Sequence, residues 1–408
     1  MINIFGLYKK AFSNLSPNIW ILAFAMFVNR SGAMVLIFTS LYLTNELKFS
    51  MADAGIAMSF YGAGSIIGSF LGGWLADRKN FFDIMVFALM GSGLILPFLI
   101  VLNNLYAIAA IIFMYALVSD MFRPAMSKAI AFYSKPQNRT RAVSLVRLAI
   151  NLGFSVGPAI GGLIAFVWGY KPLIIIDAIT SVSAGILLII YLPRKPVLEL
   201  DQENEKIIST NHKTAYQDYR YLFFIVLVAL YGLCFFQLFA SVPQYLDKVW
   251  KYSEAEIGAI LALNGFLVVL VEMPMMAYLE DRKETFKYII LGVFCVPISF
   301  IILYFSNGLM FGVLIYTLII TLSEIYAMPF MMNFTLTRPK KERQGEYAAL
   351  YSVAFGLANV GAPLIGLGIA DRYNFNIMFT VLIVVSTITT IGFLVLYNQL
   401  KKEANKIY

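Results

Sequence analysis

Charge is scarce in this sequence. Asp, Glu, Lys and Arg make up 13% of its 408 residues, about half the share of an average soluble domain. So few charges cannot clothe a water-facing surface on a chain that is 60% hydrophobic. Histidine occurs once, as His212 in a polar stretch, which argues against imidazole-based metal or acid–base chemistry. Two cysteines, Cys234 and Cys295, lie inside apolar runs, so neither a disulfide framework nor a zinc site is indicated. Also missing are a nucleophile set beside a base and a glycine loop shaped for phosphate. We therefore expect no enzyme, no cofactor and no metal.

What is present is a series of twelve apolar segments, each near the roughly 20 residues that cross a bilayer as a helix. They run Ile19 to Leu43, Ala54 to Ala76, Phe82 to Leu102, Tyr106 to Phe132, Leu145 to Trp168 and Pro172 to Leu192. After a gap they resume as Tyr221 to Pro243, Ile257 to Leu279, Tyr288 to Phe305, Met310 to Phe334, Tyr347 to Ile369 and Ile377 to Leu396. The expected fold class is an all-α polytopic membrane protein. The first segment is too long for a signal-peptide core and is read as a retained helix. Ahead of it, Ile4, Phe5, Tyr8 and Phe12 share one helical face, the pattern of a short interfacial helix.

The net charge of +8 does not imply a nucleic-acid partner, because its distribution follows topology. With both termini cytoplasmic, 22 of the 31 Lys and Arg residues fall in cytoplasmic segments, five in the opposite loops and four within apolar segments. That asymmetry orients the chain in a plasma (inner) membrane. The lipid bilayer and a small-molecule substrate are the expected partners, and nothing indicates an oligomer, so a monomer is expected.

The chain repeats itself. Asp77-Arg78-Lys79 returns as Asp281-Arg282-Lys283, 204 positions on, Pro124 returns as Pro329, and Pro158 with Gly161 return as Pro363 with Gly366. The polar stretch Pro193 to Arg220 separates the copies. The expected domains are an N-terminal interfacial segment (1–18), a six-helix bundle (19–192), a cytoplasmic linker (193–220), a second six-helix bundle (221–397) and a cytoplasmic tail (398–408). Parallel repeats of this kind suit alternating access.

Gly73, Asp77 and Arg78 in "GGWLADRKN" resemble the loop 2–3 signature of the major facilitator superfamily, with Asn80 in place of a glycine and Phe81 and Phe82 in place of basic residues. The resemblance implies a major-facilitator fold of two six-helix bundles, with Asp77 and Arg78 as an interdomain latch in the outward-open state. Asp281 and Lys283 are read as a solvated turn. In the fifth segment, Gly153, Gly157, Pro158, Gly161 and Gly162 match the family's antiporter motif. That motif, with the helix-4 and helix-10 stretches "DMFRPAMSKAI" and "SEIYAMPF", resembles the twelve-helix drug:proton antiporters. Gly64, Gly68 and Gly72 form a similar stripe in the second segment. Both stripes are expected to face the opposite bundle.

Ionisable residues inside apolar segments are costly and usually line a path. Arg30, Asp120, Arg123, Glu272 and Glu324 are the candidates for substrate binding or proton coupling. Arg30, Glu272 and Glu324 sit nearest the segment centres. Arg147 is expected to reach the cytoplasmic edge and Asp177 to lie near the outer edge. Asn29, Asn151, Gln237, Asn264 and Asn359 are candidate polar groups of the cavity, with Tyr61, Tyr115, Tyr231 and Tyr326 as aromatic ones. Two functions fit. One is export of small amphipathic compounds, lipids included, against an inward proton flow, with Glu324 and Glu272 carrying the proton. The other is proton-coupled import of short peptides or other zwitterionic or anionic solutes, held between Arg30 and Arg123 on one side and Glu324 on the other. A fixed ion pair between helices is the structural alternative for each buried charge.

Overall fold

The computed structural model describes residues 15–135, 138–194, 214–279, 285–339 and 343–407. Among them are twelve helices long and apolar enough to cross a membrane. They are α1 (Pro17–Glu46), α2 (Met51–Ala76), α3 (Phe81–Ile100), α4 (Leu105–Tyr133), α5 (Arg141–Trp168), α6 (Lys171–Tyr191), α7 (Tyr219–Lys248), α8 (Glu254–Glu272), α9 (Phe286–Phe305), α10 (Met310–Thr337), α11 (Gln344–Arg372) and α12 (Phe375–Lys402). The helix of α2 runs on to Arg78 and that of α8 to Leu279. No strand occurs among the described residues. The expected interfacial helix around Ile4 to Phe12, most of the linker with His212, and the second Asp281-Arg282-Lys283 turn lie outside the described residues, as does the side chain of Asp77.

The helices begin where a polar side chain satisfies their first amides. Asn80 accepts from the Phe82 N–H at the start of α3, Asn104 from Tyr106 and Ala107 at α4, Asp218 from Tyr221 at α7 and Asn374 from Ile377 at α12. Large aromatic residues stay exposed at helix ends, among them Tyr106, Trp168, Phe305 and Phe311, as expected of rings seated at a membrane–water interface.

The repeat extends to backbone detail. In the α1–α2 connection Leu47-Lys48-Phe49-Ser50 places Lys48 at φ 61°, and in the α7–α8 connection Trp250-Lys251-Tyr252-Ser253 places Lys251 at φ 57°. The Phe49 amide bonds Leu43 O and the Tyr252 amide bonds Leu246 O, both at 3.0 Å. Each is a left-handed helix terminus, written twice in one chain.

The first helix of each half is broken within its span. Helix α1 stops at Gly32, turns through Ala33 and Met34, and resumes at Val35. Helix α7 passes through a 3-10 turn at Phe236–Leu238 before resuming at Ser241. Helix α4 breaks at Met121, where Pro124 has no amide for the carbonyl of Asp120.

The chain divides into two compact units. One comprises Met1–Thr39, Ala63–Gln202 and Glu254–Val269, the other Ser40–Gly62, Glu203–Ser253 and Leu270–Tyr408. Each therefore holds most of one half and a helix end from the other. In the first unit α1 packs on α5 and α6, and α3 on α4 and α6, around a core that includes Leu22, Met26, Met85, Phe122 and Leu188. In the second, α7 packs on α11 and α12, and α9 on α10 and α12. There Gln244 donates to Thr44 Oγ1 at 2.8 Å, Asn45 donates to Asp247 at 3.2 Å, and the Met51 amide donates to Asp371 at 3.1 Å.

Where the linker enters α7, Arg338 grips Asp218 with both forks, Nε at 2.6 Å and Nη2 at 2.9 Å, and the Tyr347 hydroxyl donates to the same carboxylate. Burial alone would raise the Asp218 carboxyl, but the hydrogen bond and charge of Arg338, with the Tyr221 amide and Tyr347, outweigh it and hold it below the ordinary value. The pair is 17% and 14% exposed, so Asp218→Asn should cost about 2 kcal/mol. A depressed carboxyl contributes stability above its unfolded value of about 3.9 and loses it as pH falls through the folded one. Thermal unfolding should therefore separate wild type from the variant at neutral pH. The gap should close only under acid conditions, below pH ~4.

Candidate functional site

The break in α1 is built by the glycines of α5. A Cβ on Gly153 would meet the Arg30 Cβ at 2.6 Å, and one on Gly161 would meet the Met34 Cβ at 3.0 Å, while Gly157 faces the carbonyls of Arg30 and Ser31. Gly162 on the same helix turns toward α8, where its Cβ would lie 2.4 Å from the Glu254 carbonyl and 2.9 Å from the Gly258 Cα. A Cβ on Gly258 would in turn meet the Pro158 carbonyl at 2.3 Å. The five-residue motif thus serves two contacts, one with α1 and one with α8. The stripe Gly64, Gly68 and Gly72 differs from expectation: it packs on Phe113, Leu117 and Met121 of α4, in its own half. Gly55 and Gly62 are the α2 glycines that meet α11, at Pro363 and Val360.

At the α1 break stands Arg30, half-buried, with its guanidinium 5.4 Å from the centre of the Phe154 ring. Asp177 of α6 is its electrostatic partner and is 1% exposed. Ser181 Oγ donates to Asp177 Oδ1 at 3.4 Å, and Asn29 of α1 donates to Ser181 at 3.0 Å. Asn29 is thereby a member of this network. Asp177 Oδ2 and Arg30 Nε are buried without a hydrogen-bond partner. No sequence signal joined residues 147 positions apart.

Asp120 and Arg123 meet each other, Nε to Oδ1 at 2.9 Å, with the carboxylate 1% exposed and the guanidinium side chain 58% exposed. The spacing of three in Asp120-Met121-Phe122-Arg123 is the signal that could have paired them. Arg147 is exposed. Arg78 is exposed, with its guanidinium 4.3 Å from the Trp74 ring and a bond to the Trp74 carbonyl. Lys128 donates to the Ala76 carbonyl at 2.8 Å near the end of α2.

In the second unit Glu324, Tyr351 and Cys295 all act electrostatically on the buried Tyr231 hydroxyl, so α7, α9, α10 and α11 bring polar groups together at that hydroxyl. Tyr231 and the neighbouring Ser323 share a hydrogen bond at 3.2 Å. Ser323-Glu324 repeats Ser119-Asp120 of α4 at an offset of 204. Glu272 is buried.

Gln237 is fully buried, but its amide works as a brace: Nε2 donates to Leu233 O and Ala362 O, and Oε1 accepts from Ser241. It fastens the bend of α7 to α11. Asn359 donates to Phe355 O on its own helix. Asn264 is buried and Asn151 half-buried. Among the described residues no group of three or more His, Cys, Asp or Glu is placed to hold a metal ion.

A profile of the Major Facilitator Superfamily matches residues 19–363. The chain belongs to that superfamily. This transporter is 24% identical to the uncharacterised MFS-type transporter YqjV of Bacillus subtilis over 407 residues, 97% of this chain and 98% of that one. It is 25% identical to multidrug resistance protein 1 of the same organism over 340 residues, 79% and 82% of the two chains. Its fold matches a solved peptide transporter in complex with sulfate, with a TM-score of 0.79 and 15% identity over 95% of this chain and 96% of that one. The protein is an integral membrane transporter of major-facilitator fold acting on small molecules.

Proposed function

We propose that this transporter works by alternating access and uses the proton gradient to export small amphipathic compounds, lipophilic cations foremost. The observation that carries the reading is charge placement. Asp177 acts electrostatically on Arg30 and Asp120 pairs with Arg123, so each of the two arginines that would grip a peptide carboxylate already has a carboxylate at hand. The apolar segments of the second half contain Glu272 and Glu324 and no Lys or Arg. The apolar part of the second half is therefore acidic in balance, which suits a cation and a proton competing for one carboxylate. Relatives named as drug-resistance proteins support the same reading. The likeness to peptide transporters stands at 15% identity and speaks to fold alone.

In this reading Glu324, which shares its surroundings with the buried Tyr231, binds either the proton or the cation. Glu272 is the second candidate. Asp77 and Arg78 form the latch of the outward-open state. Both termini are cytoplasmic, the working unit is a monomer, and no cofactor beyond the proton gradient takes part. Cells expressing the protein should accumulate less of a lipophilic cationic dye, with the deficit abolished by an uncoupler. Unchanged accumulation across a broad panel of such compounds would count against export.

A further inference from the structure

The repeat supplies an internal control for the Arg30–Asp177 pair. At the same offset of 204 to 205, Arg30 corresponds to Cys234 and Asp177 to Val381 or Leu382. Helices α7 and α12 pack there as α1 and α6 do in the first half, and the Cys234 thiol lies 4.0 Å from the Leu382 carbonyl. One packing arrangement is thus filled by charges in one half and by neutral residues in the other. Buried ion pairs are commonly replaceable by neutral residues without loss of stability. The charges are therefore not what the fold requires.

Nor is the pair closed as a structural salt bridge would be. Asp177 Oδ2 and Arg30 Nε are both buried and unpartnered, while Arg30 keeps part of its surface open. We infer that Asp177 is the specificity-determining residue of this transporter: it neutralises Arg30 at the break in α1 and so keeps an anion site from forming there. The site it suppresses would take a carboxylate or other organic anion, since a guanidinium offers several donors in one plane. This inference rests on the proposed cation preference, which Asp177 would maintain by charge balance.

The two charges are not symmetric in their consequences. A buried carboxyl can shed its charge by binding a proton, whereas a guanidinium cannot. Asp177→Asn therefore leaves a lasting positive charge, and Arg30→Gln does not leave a lasting negative one. Binding of two dyes of similar ring system, cationic rhodamine 6G and anionic fluorescein, would be followed by fluorescence polarisation on purified full-length protein.

Asp177→Asn should raise fluorescein affinity at least about tenfold and lower that of rhodamine similarly. The Arg30→Gln/Asp177→Asn double variant, which copies the neutral second half, should fold and return both affinities to wild type. A gain in fluorescein binding supports the inference whether or not wild type binds rhodamine, which tests the export reading separately. No gain in Asp177→Asn overturns it. Should Asp177→Asn not fold, Arg30→Gln decides: fluorescein binding unchanged from wild type supports a masked arginine, and reduced binding shows an arginine already at work on anions.

Discussion

Glu324→Gln is expected to leave the protein folded and to abolish proton-driven transport. Glutamine keeps the volume and the hydrogen-bonding capacity of the side chain but has no proton to exchange and no charge to offer. Loss of a buried charge partner costs 2–5 kcal/mol, so affinity for a lipophilic cation should fall at least about 30-fold. The decisive readout is proton release on binding in weakly buffered detergent solution. Wild type should release protons when the cation is added, and the variant should release none. Asp120, the repeat counterpart of Glu324, is held by Arg123 at 2.9 Å. Asp120→Asn should therefore leave that proton release in place, which separates the two acids by function. Equal proton release from wild type and Glu324→Gln would move the coupling role to another group, with Glu272 next in line.

Gly162→Val is expected to damage both stability and transport. Even the Cβ would fall 2.4 Å from the Glu254 carbonyl and 2.9 Å from the Gly258 Cα, and backbone on both sides cannot swing away as a side chain tip would. Helices α5 and α8 would have to separate, at the roughly 1–3 kcal/mol typical of overpacking. Transport should be lost with it if this contact must form and break in each cycle. Gly368→Ala on α11 is the control. Nothing lies within 4 Å of its would-be Cβ, so alanine there should stabilise the helix by up to about 1 kcal/mol and leave transport intact. Melting temperature and dye efflux measured on both variants test this. A valine at 162 that transports normally would show that the close approach of α5 and α8 is dispensable.

The twelve helices and the repeat were legible because both are written in local pattern: apolar runs of membrane length, and echoes such as Pro158 with Gly161 against Pro363 with Gly366. The echo of Leu47-Lys48-Phe49-Ser50 in Trp250-Lys251-Tyr252-Ser253 was also present in the sequence, but its meaning lies in a positive φ that composition does not announce. The break in α1 carries no proline, and only Ser31, Gly32 and Ala33 hint at it. What could not be read were partnerships across helices. Asp177 sits eight residues past the loop glycine Gly169 and so looks peripheral; its burial follows from the packing of α1 on α6. Gln237 reads as cavity lining because a lone amide in an apolar run has no visible partner, yet its partners are backbone carbonyls, which every sequence contains and none displays. The motif of α5 was recognised as close-packing glycine, while its division between α1 and α8 depends on the angular position of Gly162 next to Gly161.

The central claim is that this transporter exchanges protons for amphipathic cations. It is tested most directly with purified protein in liposomes that contain a pH dye, under an imposed proton gradient, challenged separately with a lipophilic-cation pool and with a pool of di- and tripeptides. The account predicts that the cations alone trigger proton movement in the antiport direction, and that Glu324→Gln abolishes it. Proton movement triggered by the peptides, in the same direction as the solute, would contradict the account and return Arg30 and Arg123 to the role of a ligand clamp.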